Sequence, residues 1–403
     1  MKCITVVMFA AMSCALAAQN SAAAAGGGET TVYSFGFDNG DGNVPAAALI
    51  AVKDTLFGTT RGGGMQGLGT VFSLDRKTRV EKVIHNFCVQ QNCADGGYPV
   101  APLVDLDGTL YGTTELGGAY GDGVVFSVDP RTGTETVLHS FGNGTDGSQP
   151  DAGLIDVNGM LYGTTLGGGS FGGGTVFGVD AATGSETVVY AFCSQGSCVD
   201  GREPASSVLD VNGVLYGTTE NGGTYNGGTV FALDLATGAE SVVYSFCYLL
   251  SCADGENPLA GLIAVNGILY GTTNGGGADG LFGGAVFAVN PKNGSETVLH
   301  SFPYCTEEPC TDGDGPTNNL IAVKGTLYGT TLSGGANEPY GGTVFSIDLH
   351  TGAEKVLYSF CNQQNCMDGD EPWGSLVDYK NKLYGTASGG GAYNLGAVFS
   401  LKP

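Results

Sequence analysis

Positive charge is scarce in this chain. Lys and Arg number 15 against 39 Asp and Glu, a net charge of −24. Phosphate backbones are held by clustered Lys and Arg, and no such cluster occurs, so nucleic acid and anionic membrane surfaces are poor partner candidates. Charge of either sign is sparse: 13% of residues, against about 25% in ordinary domains. Histidine occurs only at His85, His139, His300 and His350. The first three share one repeated position where other copies carry Tyr33, Tyr190, Tyr244 and Tyr358, and His350 lies in a tight turn, so none is left for a nucleophilic triad. Gly-x-Ser-x-Gly is also missing. After the first residues no run reaches the roughly 18 apolar residues of a membrane span. Helical periodicity is missing throughout. Tryptophan occurs once, at Trp373.

Glycine, by contrast, is abundant, at 71 of 403 residues. It recurs at fixed places, as does the sequence Leu-Tyr-Gly-Thr-Thr. That mark stands at 110–114, 161–165, 215–219, 269–273 and 327–331, with variants at 56–60 and 383–387. Its glycines, from Gly58 to Gly385, lie 54, 51, 54, 54, 58 and 56 residues apart. A period of this size belongs to solenoids and propellers. Around the fifth mark, four short runs rich in β-branched and aromatic residues read as strands A to D: 261–265, 268–273, 285–289 and 296–302. Asn266-Gly267 between the first two is a hairpin turn. Four antiparallel strands per repeat make a propeller blade. The chain starts with a lone D strand, 31–35, and ends with a lone A-B-C set, 375–401. These complement each other, so the expected fold is an all-β, seven-bladed β-propeller closed by an N-terminal strand that completes the last blade. An open β-solenoid is the alternative.

The first 18 residues read as a signal peptide, with Lys2, an apolar stretch from Ile4 to Leu16 and small residues before a cleavage site. Residues 19–28 form an Ala/Gly spacer, and 29–403 the propeller. Beyond the leader, ten cysteines form five Cys-x4-Cys pairs: Cys88 with Cys93, Cys193 with Cys198, Cys247 with Cys252, Cys305 with Cys310, and Cys361 with Cys366. An even count at one spacing in an exported chain reads as local disulfides. The alternative, a thiolate zinc site, needs four converging ligands, which pairs on separate blades would not supply. A secreted or periplasmic monomer is expected.

This topology puts the tight A–B and C–D turns on one face and the long, variable B–C and D–A loops on the other, every cysteine pair among them. Loops that vary on a rigid scaffold carry binding, so the second face is the candidate. Its D–A loops repeat Asp-Gly at Asp41, Asp95, Asp146, Asp200, Asp254, Asp312 and Asp368. These carboxylates are expected to cap their own turns; Ca²⁺ binding is the alternative, and no other cofactor is expected. The B–C loops carry Tyr120, Phe171, Tyr225, Phe282, Tyr340 and Tyr393, which suit sugar stacking or wedging between blades. Catalysis needs residues that break the repeat, because a single site uses each role once. Arg61, Glu115 and Glu220 do so directly after the Thr-Thr mark. Glu203, Glu256, Glu371 and Trp373 do so in the D–A loops, as does Arg202. Paired carboxylates about 5–10 Å apart could hydrolyse glycosides.

The set Asp-Gly-x-x-Pro, Leu-Ile-x-Val-x-Gly-x-Leu-Tyr-Gly-Thr-Thr, Gly-Gly-Thr-Val-Phe and Thr-Gly-x-Glu-x-Val resembles the GloVer tandem-repeat family of exported bacterial proteins with varied C-terminal anchors. The resemblance covers nearly all of 29–403 and implies an extracytoplasmic repeat protein. The chain stops at Pro403 just after a strand, which is read as free secretion or periplasmic residence. Residues 228–238 are also similar to pyrroloquinoline-quinone propeller repeats. With seven repeats, one Trp and no adjacent Cys-Cys, that similarity implies shared turn chemistry only. The functional expectation is a binding scaffold for a glycan, peptide or cell-surface protein, acting through the B–C and D–A face. The alternative is an exported hydrolase or lyase with carboxylates at the channel mouth. Convergence of three repeat-breaking polar groups there would favour the alternative.

Overall fold

The computed structural model describes residues 28–36, 40–278, 283–305, 310–337 and 341–403. Almost all of the leader and spacer, Phe282 and Tyr340 lie outside the described residues. The chain forms seven four-stranded antiparallel sheets, the blades of a β-propeller. Blade 4 shows the pattern: strand A Leu209–Val211, B Val214–Thr219, C Thr229–Asp234 and D Glu240–Ser245. The A–B hairpins turn as their sequence requires. Asn266 and Gly267 both have positive φ, 54° and 79°, as a primed turn needs. At the C–D turn the Asp234 Oδ1 accepts the N–H groups of Ala236 and Thr237. Strand A of blade 5 is shorter than expected, Ile263–Val265; Leu262 before it packs into the core.

The repeated mark is strand B, and its glycine and first threonine have structural tasks. Its glycine lies under the strand-C phenylalanine of the same blade. A Cβ on Gly271 would stand 2.6 Å from Phe287 Cζ and 2.9 Å from Leu262 Cδ2, so any larger residue would overpack the site. The first threonine ties one blade to the next. Thr59, Thr113, Thr164, Thr218, Thr272 and Thr386 donate through Oγ1 to the carbonyls of Ala101, Ala152, Ser206, Ala260, Asn318 and Ala47 at 2.9–3.3 Å.

Phenylalanine completes the inter-blade seam. The ring that follows each strand D meets the strand-C ring of the next blade edge to face. The pairs are Phe35–Phe72, Phe87–Phe126, Phe141–Phe177, Phe192–Phe231, Phe246–Phe287, Phe302–Phe345 and Phe360–Phe399, with centroids 4.8–5.2 Å apart. Such a pair adds about 0.5–1.5 kcal/mol beyond area burial. Closure of the ring is therefore built from the same contacts as its interior. The N-terminal strand Thr30–Ser34 pairs antiparallel with Ala397–Leu401 as the outer strand of blade 7. Phe35 then packs on Phe72 of blade 1, and Thr386 reaches Ala47.

Among the described residues there is no α-helix; four 3₁₀ turns, such as Gln91–Cys93, sit in the cysteine loops. All five expected cystines are present: Cys88 to Cys93, Cys193 to Cys198, Cys247 to Cys252, Cys305 to Cys310, and Cys361 to Cys366. Each closes its own D–A loop. Cys198 ends the 3₁₀ turn Gly196–Cys198 with φ at 51°. Cys310 stands in the one cysteine loop without a described 3₁₀ turn, and it is buried. None of the ten cysteines lines the central channel mouth, so their part is to hold loops and not to contact a ligand there.

Candidate functional site

Each blade begins with a proline. Pro99, Pro150, Pro204, Pro258, Pro316, Pro372 and Pro45 press their Cδ against Gly69, Gly123, Gly174, Gly228, Gly284, Gly342 and Gly396 of the preceding blade. All seven glycines have positive φ, and a Cβ would meet the proline within 2.8 Å. This contact pins the chain where it turns down into the channel. The next residue of each repeat then projects toward the axis: Ala46, Val100, Asp151, Ala205, Leu259, Thr317 and Trp373. All of these line one cavity of about 540 Å³ at the channel mouth, on the face of the B–C and D–A loops.

The mouth is not seven-fold in its chemistry. Blades 7, 1, 2 and 3 contribute Glu371 and Trp373, Arg61, Glu115, and Asp151 in turn. The opposite arc, blades 4 to 6, contributes Ala205, Leu259 and Thr317, with Ser206, Ser207, Asn318 and Asn319 below. Arg61 Nη2 is 3.1 Å from Glu115 Oε2, and its guanidinium lies 5.4 Å from the Tyr98 ring centroid. Asp151 stands beside this pair without joining it. Its Oδ1 is buried and has no hydrogen-bond partner. Burial, reinforced by the Glu115 charge and opposed by Arg61, pushes the Asp151 carboxyl up to about 7. In blade 7, Ser388 donates to the Glu371 carbonyl at 3.2 Å. Trp373 is 44% exposed, so its ring is open to a ligand.

Of the candidates marked by the repeat, Arg61, Glu115, Glu371 and Trp373 therefore meet at the mouth. Glu203 and Glu220 do not line it. Glu203 binds Arg202 at 3.1 Å, and burial with the nearby Glu203 charge raises the Glu220 carboxyl. Glu256 lies beside the Cys247–Cys252 disulfide. Tyr120, Phe171, Tyr225 and Tyr393 are exposed in their B–C loops, away from the cavity; Tyr225 packs on Tyr248. Asp151 escapes the repeat reading. Its signal is the slot after proline, which alignment on the Leu-Tyr-Gly-Thr-Thr mark does not bring out.

The repeated aspartates lie between blades and not at the mouth. Asp200 accepts the N–H of Ser194 at 2.9 Å and the Tyr190 hydroxyl at 2.9 Å. Asp254 and Asp368 do the same with Tyr248 and Tyr244, and with Asn362 and Tyr358. Asp41 accepts from Gly36 and Tyr33, and Asp95 from Val89 and Gln90. His139 and His300 stand 3.1 and 3.0 Å from Asp146 and Asp312. In blade 6 the loop N–H of Cys305 goes to Asp314 instead. The first glutamate of the following strand D faces each site. Burial, with the charge of the nearby aspartate, pushes Glu29, Glu135, Glu186, Glu240, Glu296 and Glu354 up to about 7 and Glu81 to about 8. His300, Asp312 and Glu354 bring three potential ligand atoms within 4.8 Å of one another.

The chain belongs to the Gloeobacter/Verrucomicrobia repeat family, whose model matches residues 21–159, 86–282 and 247–403. A comparison with curated proteins gives no match. Among solved structures it is similar to the extracellular domain of a hybrid two-component system from B. thetaiotaomicron, at 14% identity and a TM-score of 0.55 over 93% of this chain. The chain spans 42% of that chain's length. It is also similar to an oligogalacturonate lyase in complex with manganese, at 13% identity and a TM-score of 0.52, covering 94% of this chain and 98% of the other. A Vibrio parahaemolyticus oligogalacturonate lyase matches at 10% identity and a TM-score of 0.50, over 93% and 96% of the two chains. At these identities the likeness is one of fold.

Proposed function

We propose that this member of the Gloeobacter/Verrucomicrobia repeat family is an exported glycan-binding propeller that seats a neutral sugar chain at its channel mouth. The leader-like first 18 residues and the five disulfides support export. The observation that carries the ligand class is the pairing, in one cavity, of an exposed Trp373 ring with the buried, unpartnered Oδ1 of Asp151. A sugar ring offers both complements at once: an apolar C–H face for the tryptophan and hydroxyl donors for the carboxyl. The amides and hydroxyls of Asn318, Asn319, Ser206 and Ser207 add further hydroxyl partners. A volume of about 540 Å³ falls in the range of small-ligand sites, roughly 300–1,000 Å³.

Charge narrows the class. Arg61 is the one cation among the lining residues, and Glu115 already neutralises it. Asp151 and Glu371 leave the mouth acidic, so uronate and sulfated chains are disfavoured. The test is a glycan array probed with the mature chain and with Trp373→Ala. Neutral or amino-sugar glycans should bind the former and give a weaker signal with the latter. An undiminished signal for every hit with Trp373→Ala, or hits confined to acidic glycans, would contradict the proposal.

A further inference from the structure

We infer that the channel mouth also cleaves the glycan it seats, with Asp151 as the acid and Glu115 as the base of a glycoside hydrolysis. This rests on the reading of the mouth as a glycan site. Both side chains line the same cavity, from adjacent blades 2 and 3. Each departs from its own repeat. The slot of Asp151 is otherwise filled by Ala, Val, Leu, Thr or Trp, and that of Glu115 by Arg61, Leu166, Glu220, Asn274, Leu332 and Ser388. Their surroundings set them apart. Glu115 is held by Arg61 at 3.1 Å, and Arg61 is in turn steadied over Tyr98. Asp151 makes no ion pair among the described residues, and its buried Oδ1 faces no donor. One carboxyl is held in an ion pair with arginine and the other is buried with an unpartnered oxygen, the contrast of surroundings that an acid and base pair needs. Burial already brings Asp151 up to about 7, so it carries a proton under mildly acidic conditions.

In the step, Asp151 gives its proton to the glycosidic oxygen while the bond from that oxygen to the anomeric carbon breaks. The electron pair of that bond stays on the leaving oxygen. Glu115 takes a proton from a water, whose oxygen forms the new bond to the anomeric carbon. One water is consumed, and a hemiacetal and an alcohol are released. Asp151 ends deprotonated and Glu115 protonated; exchange with solvent restores both. No oxidant or reductant enters the balance.

The experiment incubates the mature chain with fluorescently labelled, neutral oligomers of glucose, xylose, mannose, galactose and N-acetylglucosamine. Emission of the single tryptophan reports binding, and separation of the labelled fragments reports cleavage. At least one bound oligomer should be cut, with a rate that falls as pH rises through about 7. Asp151→Asn and Glu115→Gln should each lose on the order of a hundredfold or more in rate while still changing the tryptophan emission on binding. Glu203→Gln, outside the cavity, should cut like the parent. Oligomers that bind and stay intact across the pH range would overturn the hydrolysis and leave the binding site standing; full activity in Asp151→Asn would overturn the assignment of the acid. Failure of every oligomer to change the tryptophan emission would overturn both.

Discussion

Trp373 and Asp151 occupy the same slot of two different repeats, and the contrast between them shows how single residues turn a symmetric ring into a site. Trp373 is visible in the sequence because it is unique. Arg61 and Glu115 are visible because they follow a mark that every blade shares. Asp151 is hidden, because its slot varies from Ala46 to Trp373 and its meaning depends on the proline that turns it inward. Burial without a partner has an expected consequence for stability. The Asp151 carboxyl is raised in the folded state, so its contribution is fully present below the ordinary carboxylate range and is lost as pH rises through about 7. Asp151→Asn should therefore gain on the parent as pH rises from the ordinary 3.8 through about 7, and melt higher than it at alkaline pH, as differential scanning calorimetry can check. Trp373→Ala should leave melting within a few degrees, since the ring is 44% exposed. It should weaken glycan binding about two- to tenfold, in line with a ring-face contact of about 0.5–1.5 kcal/mol.

Strands and turns are the most legible level. Asn-Gly hairpins, Asp-x-x-Thr-Gly turns and alternating β-branched runs set the four-strand unit, because each is a local backbone requirement. The cysteine pairs are legible for the same reason: five residues of separation leave each thiol one neighbour to reach, as Cys193 does with Cys198 and Cys305 with Cys310. The length of strand A is less legible. Leu262 reads as strand, yet it packs into the core against Phe246 and Phe287 and strand A begins only at Ile263. Strand B carries the sharpest expectation. Gly271→Ala would place a Cβ 2.6 Å from Phe287 and should destabilise by about 1–3 kcal/mol, the usual cost of overpacking, in a denaturant melt. Strand D of blade 7 carries another. Deleting residues 28–35 removes the pairing with Ala397–Leu401 and the Phe35–Phe72 contact. That deletion should lower the melting temperature and speed proteolysis within 375–401. An unchanged melt and digest would contradict ring closure by this strand.

At the scale of the whole molecule, a glutamate with raised proton affinity recurs at every inter-blade seam. No single sequence copy discloses it, because each Glu meets an Asp from the D–A loop that precedes its own blade. The groups act together. Each contributes stability that is present below 4.5, the ordinary glutamate value, and is lost as pH rises through about 7. The exposed turn aspartates Asp75, Asp129, Asp180, Asp234 and Asp348 are lowered by N–H, hydroxyl or arginine partners and act oppositely, losing their contribution as pH falls below the ordinary 3.8. The ring should be most stable in mildly acidic solution. Its melting temperature should fall as pH rises from 4.5 to about 8, and Glu240→Gln should flatten part of that slope. The same ring carries one asymmetric mouth, and its single tryptophan stands there, so titrating neutral oligosaccharides while recording tryptophan emission tests the account most directly. A saturable shift in emission, abolished or weakened by Trp373-distant capping of the sugar hydroxyls as methyl ethers, is the expected result. Saturable binding seen by calorimetry with no change in tryptophan emission would place the ligand elsewhere and contradict the account.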